Sequence, residues 1–461
     1  MSIEYLGLSS VNGPLVVLEG VQDAFFDEIV EFVIDGSERK IGRIVELYED
    51  KAVIQVFEGT ESMSLMNTHT KLTGHPMEIA LSPDMLGRTF NGIGQPIDDL
   101  GPIVSTLKRD VNGLPLNPVC REYPRNYIHT GISAIDGLTT LIRGQKLPIF
   151  SGNGLPHDQL AAQIVKQASL GENSDEEFAI VFAAMGVKHD VADFFRHTFE
   201  ESGVADHVAM FLNLANDPVV ERLITPKVAL TVAEYLAFEQ HMHILVILTD
   251  MTSFAEAMRE VSSSKGEIPS RKGFPGYLYS ELAAIYERAG IVRGVEGSVT
   301  QLPILTMPND DITHPIPDLT GYITEGQIVL DRPLNGQSIY PPINILPSLS
   351  RLMKDGIGEG YTREDHQDLS NQLFSAYAKV GDARNLASVI GEDELSPIDK
   401  KYLEFGKEFE ERYIGQGPEE NRTMEETLNL GWELLGKLPR EELDRVDTRL
   451  LDKYYKPAPE E

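Results

Sequence analysis

The sequence is poor in cysteine, in long apolar runs and in basic side chains, and each shortage excludes a class of protein. Cys120 is the single cysteine, so the chain cannot form an intramolecular disulfide, and a reducing, cytosolic setting is expected. Strongly apolar runs such as 244–248 fall far short of the about 20 residues that a membrane-spanning helix needs. Lys and Arg number 40 against 72 Asp and Glu, and the net charge of −32 disfavours nucleic-acid binding.

What the chain does have is an ordinary globular composition and enough length for roughly three domains. Hydrophobic residues make up 41% and charged residues 24%, which is typical of folded proteins with a core. Over residues 1–75, short β-branched runs at 14–18, 28–33 and 52–57 alternate with Gly, Asp and Asn turns. This alternation predicts a small N-terminal β-barrel.

The middle of the chain, residues 76–358, begins with a Gly- and Pro-rich connecting stretch and then alternates strands with helices. Such alternation predicts a mostly parallel sheet covered by helices, and these sheets bind ligands at the carboxyl ends of their strands. The predicted elements are strands at 146–150, 178–184, 208–212 and 243–249, and helices at 158–170, 191–201 and 228–239. Over residues 359–461, polar helical patterns at 363–380, 397–413 and 423–436 predict a C-terminal helical bundle.

A loop in the position of a phosphate-binding P-loop follows the strand at 146–150 and reads S-G-N-G-L-P-H-D. A working loop needs G-x-x-x-x-G-K-[ST], in which backbone N–H groups and Lys meet phosphate and the hydroxyl binds Mg²⁺. The residues that define the present loop are Ser151, Gly152, Gly154, Pro156, His157 and Asp158. Pro156 lacks an N–H, His157 is mostly neutral at pH 7, and Asp158 adds negative charge. The loop is therefore either a degenerate P-loop, opposed to phosphate binding, or an ordinary Gly-containing turn.

An apolar strand that ends in an acid, at 243–250, resembles the Walker B element that organises Mg²⁺ in P-loop enzymes. The alternative is that Asp250 serves only the start of the next helix, where Ser253 and Glu256 have the pattern of a capping box. Two nearby histidines, His241 and His243, have no clear acidic or cysteine companion, and we predict no metal site.

Several segments taken together resemble the B-type nucleotide-domain subunits of archaeal and bacterial A/V-type rotary ATPases along essentially the whole chain. These segments are 143–157, 213–218, 276–280, 283–290 and 315–327. The most specific match is P-P-I-N-I-L-P-S-L-S at 341–350, which fits the family signature P-[SAP]-[LIV]-[DNH]-x-x-x-S-x-S. The resemblance implies an N-terminal β-barrel, a central P-loop ATPase-like (RecA-like) α/β domain and a C-terminal α-helical bundle. This architecture agrees with the division into 1–75, 76–358 and 359–461.

The family contains catalytic and non-catalytic subunits, and this sequence has the features of the second kind. Catalytic members carry an intact P-loop and a Gly-Glu-Arg whose Glu polarises the attacking water, whereas Val187 stands at the position of that Glu. Without Lys, hydroxyl and carboxylate, neither phosphate clamping nor water activation is available. The resemblance therefore implies that this chain is not catalytic on its own.

The resemblance also assigns roles to residues around the signature. Arg351 follows it directly, at the position where non-catalytic subunits present an arginine finger to the neighbouring catalytic subunit. A planar guanidinium suits the charge of a transferring γ-phosphate, and the alternative is an ordinary surface or ion-paired arginine. Ser348, Ser350 and Tyr340 are the implied nucleotide-binding residues. Tyr340 aligns with an aromatic that stacks on adenine in catalytic members, with packing at the subunit interface as its alternative role.

The implied assembly is a ring of three pairs in which this chain alternates with a catalytic A subunit, attached to central and peripheral stalk subunits. Mg-ATP or Mg-ADP is implied at the interface with the catalytic subunit, and no tightly bound cofactor is expected in this chain. The resemblance places the chain peripherally at the cytoplasmic face of the cell membrane, where the complex couples ATP synthesis or hydrolysis to ion transport. The alternatives are a structural scaffold without a role in chemistry and an independent hexameric P-loop ATPase, such as a helicase or export ATPase.

Overall fold

A computed structural model describes residues 4–171 and 174–459 of the chain. The chain divides into two compact units, each made of two separate stretches of sequence. Unit 1 comprises Met1–Asn117 and Ala179–Arg288, and unit 2 comprises Pro118–Phe178 and Ala289–Glu461.

The described residues form β-strands, α-helices and one π-helical segment. The strands are β1 Glu4–Leu6, β2 Ser10–Asn12, β3 Leu15–Glu19, β4 Ile29–Ile34, β5 Glu38–Tyr48, β6 Lys51–Val56, β7 Thr68–Leu72, β8 Glu78–Ala80, β9 Thr89–Asn91, β10 Lys108–Asp110, β11 Arg121–Glu122, β12 Tyr127–Ile128, β13 Leu141–Ile142, β14 Ile149–Gly152, β15 Phe178–Val187, β16 Val208–Leu214, β17 His243–Thr249, β18 Ile291–Val292, β19 Ser298–Met307, β20 Gly326–Leu330 and β21 Ile343–Ser350. The α-helices are α1 Ser133–Asp136, α2 His157–Gln167, α3 His189–Glu201, α4 Val219–Phe238, α5 Met251–Ser264, α6 Leu278–Tyr286, α7 Pro315–Ile323, α8 Arg332–Gly336, α9 His366–Ile390, α10 Pro397–Glu408, α11 Met424–Leu435 and α12 Thr448–Tyr454. The π-helical segment, Phe409–Ile414, follows α10 directly.

The N-terminal part of unit 1 is a seven-stranded antiparallel sheet with the strand order β1-β7-β4-β5-β6-β3-β2. The three predicted β-branched runs correspond to β3, β4 and β6. They form strands because alternate residues of each run point into one apolar interior. Val16, Val30, Phe32, Ile44 and Ile54 have 0% exposure in this core. The predicted β-rich N-terminal domain is confirmed.

The rest of unit 1 contains an α/β layer whose strands are ordered β9-β16-β15-β17. β15 and β9 each pair with β16 in parallel, so the predicted connecting stretch contributes β9 to this layer. The Phe182 ring of β15 lies 4.5 Å from the Phe195 ring and 5.4 Å from the Phe199 ring, both on α3. Helix α4 packs against β16 and β17. This layer has the alternating strands and helices that the sequence predicts.

Helix α4 is longer than the sequence pattern predicts. The predicted start at 228 was wrong, because α4 spans Val219–Phe238 and runs through Pro226. Proline lacks an N–H and is normally unfavourable inside a helix. The first turns are nevertheless well packed, since Val220, Leu223 and Ile224 are all buried. Burial of this apolar face offsets the missing backbone hydrogen bond.

Helix α5 begins with an aspartate cap and not with the capping box that the sequence suggests. The Asp250 carboxylate accepts a hydrogen bond from the Thr252 N–H at 2.8 Å, and α5 starts at Met251. Ser253 and Glu256 therefore lie inside the helix, and the capping-box prediction was wrong. Aspartate is as good an N-cap as serine, so the helix starts at the earlier of the two candidates.

Unit 2 contains four strands in the order β21-β20-β14-β19. β14 pairs in parallel with β19 and β20, and β21 pairs antiparallel with β20. The carboxyl ends of the three parallel strands therefore meet at one edge, which is where parallel sheets bind ligands. The strand predicted at 146–150 occurs as β14, Ile149–Gly152, so the chain reaches this edge directly before the P-loop-like segment.

The C-terminal part of unit 2 is helical, as predicted. Helices α9, α10 and α11 pack against one another. The only tryptophan of the chain, Trp432 on α11, donates a hydrogen bond from Nε1 to Asp365 Oδ2 at 2.6 Å. Thr423 and Glu426 form a reciprocal capping box at the start of α11. Within residues 4–171 and 174–459, no helix combines the length and the apolar character needed to cross a lipid bilayer.

The buried His366 at the start of α9 predicts a pH dependence of stability. Its Nε2 lies 3.0 Å from the Gly137 carbonyl oxygen and its Nδ1 lies 3.0 Å from Thr362 Oγ1, and burial lowers its pKa from 6.5 to about 4. Between pH 6.5 and 4, the unfolded chain therefore binds a proton at His366 that the folded chain does not bind. The free energy of unfolding should fall as the pH is lowered through this window, by roughly 1.4 kcal/mol per unit of pKa difference.

Urea titrations at pH 7, 6 and 5, followed by Trp432 fluorescence, measure this dependence. The variant His366→Gln should lose part of the wild-type slope between pH 6.5 and 5, because glutamine does not titrate. The variant His207→Gln, at an exposed histidine, should keep it. Equal slopes for the wild type and His366→Gln would contradict the assignment.

Candidate functional site

The P-loop-like segment lies between β14 and α2 at the ligand-binding edge of the unit 2 strands. β14 is buried along its whole length and ends at Gly152, and α2 begins at His157. Gly154, in the middle of the turn, has a φ of +80°, which favours glycine. The chain therefore makes the strand–turn–helix geometry of a phosphate-binding loop.

Two backbone donors of this turn are used within the turn itself. The Leu155 N–H donates to the Gly152 carbonyl at 3.1 Å, and the His157 N–H donates to the Leu155 carbonyl at 2.9 Å. Pro156, between these two, has no N–H. A phosphate group bound in a P-loop needs such N–H groups to point outward together. Leu155, Pro156 and His157 therefore offer no N–H to a phosphate group.

The side chain of His157 is turned toward the end of β14. Its Nδ1 lies 2.9 Å from Ser151 Oγ, and its Nε2 lies 3.7 Å from Asp158 Oδ1. Ser151 has 0% exposure, so the imidazole contacts a buried hydroxyl. A lysine in a working loop instead extends its ammonium toward the β- and γ-phosphates. His157 therefore does not replace that lysine in position.

Two residues that the sequence analysis did not identify lie against the same loop. Arg332 donates from Nε and Nη2 to the Asp310 carboxylate at 2.7 and 2.9 Å, and from Nη2 to the Asn153 carbonyl at 3.0 Å. A Cβ atom placed on Gly152 would clash with Asp310 Oδ1. The Arg332 guanidinium holds the pKa of Asp310 below its usual value. An internal ion pair thus lies beside the turn.

A sequence signal for this pair exists. Asp310 follows β19 and Arg332 follows β20, and both strands neighbour β14 in parallel. Residues directly after adjacent parallel strands meet at the same edge of the sheet. The predicted strands did not include β19 or β20, and the pair was therefore missed.

The two signature serines hold the end of β21 in place. Ser348 Oγ donates to the Asn344 carbonyl at 2.5 Å and accepts from the Val329 N–H at 2.9 Å. Ser350 Oγ donates to the Thr140 carbonyl at 2.8 Å. Both serines are buried, and the pairing of β21 with β20 runs to Ser350. The strand that leads to Arg351 is therefore fixed on both sides.

Arg351 lies at the first position after β21 and is exposed. Its backbone N–H donates to the Glu325 carbonyl at 2.9 Å, which anchors the main chain at this point. Its guanidinium makes no hydrogen bond or ion pair with any residue in the described ranges 4–171 and 174–459. An anchored backbone and a free guanidinium leave the side chain available to a group outside the chain.

Tyr340 lies beside a large cavity in unit 2. Its hydroxyl donates to Gln163 Oε1 at 2.8 Å, and its carbonyl accepts the Gln416 N–H at 2.6 Å. Burial raises the pKa of this hydroxyl. The cavity has a volume of about 780 Å³, and its wall includes Tyr340, Gln416 and Arg422. Gln163 belongs to α2, so the helix that follows the P-loop-like turn also positions Tyr340.

Val187 and Asp250 belong to unit 1. Val187 ends β15 and is 9% exposed, so an apolar side chain occupies the predicted position of a water-activating carboxylate. The Asp250 carboxylate accepts the Thr252 N–H at the start of α5. This contact matches the helix-start role that the sequence left open for Asp250.

Three family models match the chain in succession. The ATP synthase alpha/beta family beta-barrel domain matches residues 8–74, and the nucleotide-binding domain of the same family matches residues 131–350. The C-terminal domain of V and A type ATP synthase matches residues 355–455. The predicted combination of β-barrel, α/β nucleotide domain and helical C-terminal domain is confirmed.

Similar proteins match the chain over nearly its whole length. It is 65% identical to the V-type ATP synthase beta chain 2 of Clostridium tetani, with 99% of each chain covered. It is 58% identical to the B subunit of the A-type ATP synthase of Sulfolobus acidocaldarius, with 98% of this chain and 97% of that protein covered. A solved structure of the ATP synthase subunit NeqB from Nanoarchaeum equitans matches with a TM-score of 0.73, 39% identity, and coverage of 92% of this chain and 100% of that one. The chain therefore belongs to the family of B subunits, also named beta chains, of the V-type and A-type ATP synthases.

Proposed function

We propose that this chain hydrolyses no ATP by itself and supplies Arg351 to the active site of a catalytic A subunit. The main support for the proposal is the contrast between the P-loop-like turn and Arg351, the two parts of the chain that could contribute to a nucleotide site. In the P-loop-like turn, the Leu155 and His157 N–H groups are hydrogen-bonded within the turn, and the Arg332–Asp310 ion pair flanks it. Arg351, in contrast, is exposed with a free guanidinium on an anchored strand end. A guanidinium in that setting suits the charge that a transferring phosphoryl group spreads over its oxygens.

The proposal also includes where the nucleotide binds. Mg-ATP or Mg-ADP binds at the interface with the catalytic subunit, and the chain itself holds no tightly bound cofactor. Ser348 and Ser350 serve that site by fixing β21, and Tyr340 serves it from the cavity edge. The support is the set of hydrogen bonds that hold each of these three side chains in one place.

The proposed assembly is a ring in which three copies of this chain alternate with three catalytic subunits, joined to central and peripheral stalk subunits at the cytoplasmic face of the membrane. Domain boundaries near 75 and 358 are part of the proposal. The first lies between the matched regions 8–74 and 131–350, and the second lies near the start of the matched region 355–455. Native mass spectrometry of this chain mixed with its catalytic partner tests the arrangement. A species with three copies of each chain supports it, and one-to-one dimers alone at all concentrations would contradict it.

Restoring a single P-loop residue should not restore ATP hydrolysis or tight Mg-ATP binding. In His157→Lys, Pro156 still lacks an N–H, Asp158 still places a carboxylate beside phosphate, and the Arg332–Asp310 pair still flanks the turn. We expect the isolated variant to show no ATP hydrolysis above background and no tightening of Mg-ATP binding beyond about tenfold. Equilibrium titration with a fluorescent ATP analogue and a phosphate-release assay measure both quantities. Robust turnover by this single variant would show that the loop is only one substitution away from function.

A further inference from the structure

A second cavity, of about 480 Å³, lies within unit 1 between the N-terminal sheet and the helices α4, α5 and α6. This volume falls within the roughly 300–1,000 Å³ that is typical of small-molecule sites. Phe26 and Tyr277 line the cavity with 67% and 39% exposure, so it opens to solvent. None of the site residues described above takes part in it.

One wall of this cavity carries two cations that are poorly paired. The Lys227 ammonium is largely buried, and its contacts are Asn112 Oδ1 at 3.4 Å and Glu281 Oε2 at 3.8 Å. Arg43 reaches Asp27 Oδ1 only at 3.4 Å and Gln55 Oε1 at 3.2 Å. Burial, and then repulsion from Arg43, lower the pKa of Lys227. A buried cation normally needs closer and more numerous acceptors than these.

The same wall contains a buried amide donor without a partner. Gln55 has 0% exposure, lines the cavity, and its Nε2 makes no hydrogen bond to any residue that the structure describes. Nearly all buried side-chain donors in folded proteins are satisfied by protein or by bound molecules. Lys227 and Arg43 line the cavity beside this unsatisfied amide, and no described residue nearby supplies them with a close acceptor.

The acidic side chains around the cavity are mostly engaged with other donors. Glu267 accepts from Ser262 Oγ at 2.6 Å and from Tyr277 OH at 2.7 Å, with Lys265 3.9 Å away. Glu46 accepts from Tyr48 OH at 2.7 Å, and Asp27 accepts from the Asn112 amide. These carboxylates disfavour a ligand of high negative charge, since like charges repel. A ligand with a single negative charge therefore suits the cavity best.

The lining of the cavity also includes an apolar surface. Phe254, Met258 and Val261 lie at positions i, i+4 and i+7 of α5 and therefore on one face of that helix. Leu223 of α4 is a further apolar lining residue. A ligand that fills this side must have an alkyl or aryl part, because a polar group there would lose its hydrogen bonds to water.

We propose that this cavity binds a small monocarboxylate with an apolar tail. Its carboxylate accepts from Lys227 and Arg43, and its tail lies against the α5 face. Both surfaces belong to one compact unit, so occupation stiffens the junction between the N-terminal sheet and helices α4 and α5.

Calorimetric titration of the full-length chain with octanoate, acetate and 1-octanol tests the proposal. Octanoate should bind with a Kd below about 1 mM, and acetate and octanol, which each lack one half of the ligand, should bind at least about tenfold more weakly. The proposal is overturned by an octanol affinity equal to that of octanoate, or by no saturable octanoate binding up to about 10 mM.

Two variants locate the carboxylate, and a third is the control. Arg43→Gln and Lys227→Met should each weaken octanoate binding by about tenfold or more, because each removes a charge-assisted hydrogen bond. Lys71→Met, at a half-exposed lysine of β7 outside the cavity, should leave it unchanged. Arg43 is on the sheet and Lys227 on α4, so two different elements are tested should one variant fail to fold. Unchanged affinity in a folded Arg43→Gln or Lys227→Met would place octanoate elsewhere.

Discussion

Replacing Arg351 with alanine in the assembled complex is expected to lower steady-state ATP hydrolysis by about 10³- to 10⁵-fold, the range for arginine fingers. The guanidinium follows β21 directly, and the strand is held by Ser348, Ser350 and the pairing with β20. In the proposed role, the guanidinium stabilises the transition state, when charge spreads over the γ-phosphoryl oxygens. The guanidinium makes no hydrogen bond or ion pair inside the described part of this chain, so its loss should leave the chain folded and the ring assembled.

Two further variants separate geometry from charge. Arg351→Lys should recover only a small part of the turnover, because an ammonium cannot reproduce the planar fork of a guanidinium. Lys354→Ala, at an exposed cation three residues further along the chain, should change turnover by less than about twofold. Turnover and the native mass of the ring are measured on the same samples. If the ring that contains the Arg351→Ala variant assembles and hydrolyses ATP at the wild-type rate, Arg351 is not an arginine finger. The chain then has only the scaffold role.

Replacing Asp136 with alanine is expected to lower the free energy of unfolding by about 3–5 kcal/mol. Asp136 has 0% exposure, and its carboxylate accepts from the Thr130 N–H at 3.0 Å, the Gly131 N–H at 2.9 Å and Thr130 Oγ1 at 2.7 Å. Removing the carboxylate leaves these buried donors without an acceptor. Unsatisfied buried donors cost more than the net value of the lost hydrogen bonds.

Urea denaturation followed by Trp432 fluorescence measures this loss, because that tryptophan lies in the same unit as Asp136. Asp136→Asn keeps one acceptor oxygen and should lose less stability than the alanine variant. Asp382→Ala, at an exposed position of α9, should shift the free energy of unfolding by no more than about 0.5 kcal/mol. A similarly small shift in Asp136→Ala would show that the cluster around Thr130 is held by other contacts.

The sequence predicts elements well where one periodicity dominates. The strand at 243–249 coincides with β17, because a continuous run of β-branched and leucine side chains is buried on both faces there. The start of α4 could not be predicted, since only tertiary burial of Val220, Leu223 and Ile224 compensates for Pro226. The start of α5 was misplaced because two N-cap patterns overlap, and the choice between Asp250 and Ser253 depends on where β17 ends.

The candidate site shows the same division. The P-loop-like turn is predictable because it follows an apolar strand and its changed residues sit at fixed positions. The Arg332–Asp310 pair was missed, because its two members meet through the order of β19, β14 and β20, and neither β19 nor β20 was among the predicted strands. The exposure of Arg351 follows from its place after β21, whereas its proposed role depends on a second chain that this structure does not contain.

The most direct test is ATP hydrolysis by this chain alone, by its catalytic partner alone, and by the two at equal concentration. We predict no turnover above background for this chain at any concentration, because its turn lacks the lysine and the hydroxyl of a working loop. We also predict that the mixture exceeds the partner alone, and that Arg351→Ala abolishes the increase. Turnover by the purified chain without its partner would contradict the central claim.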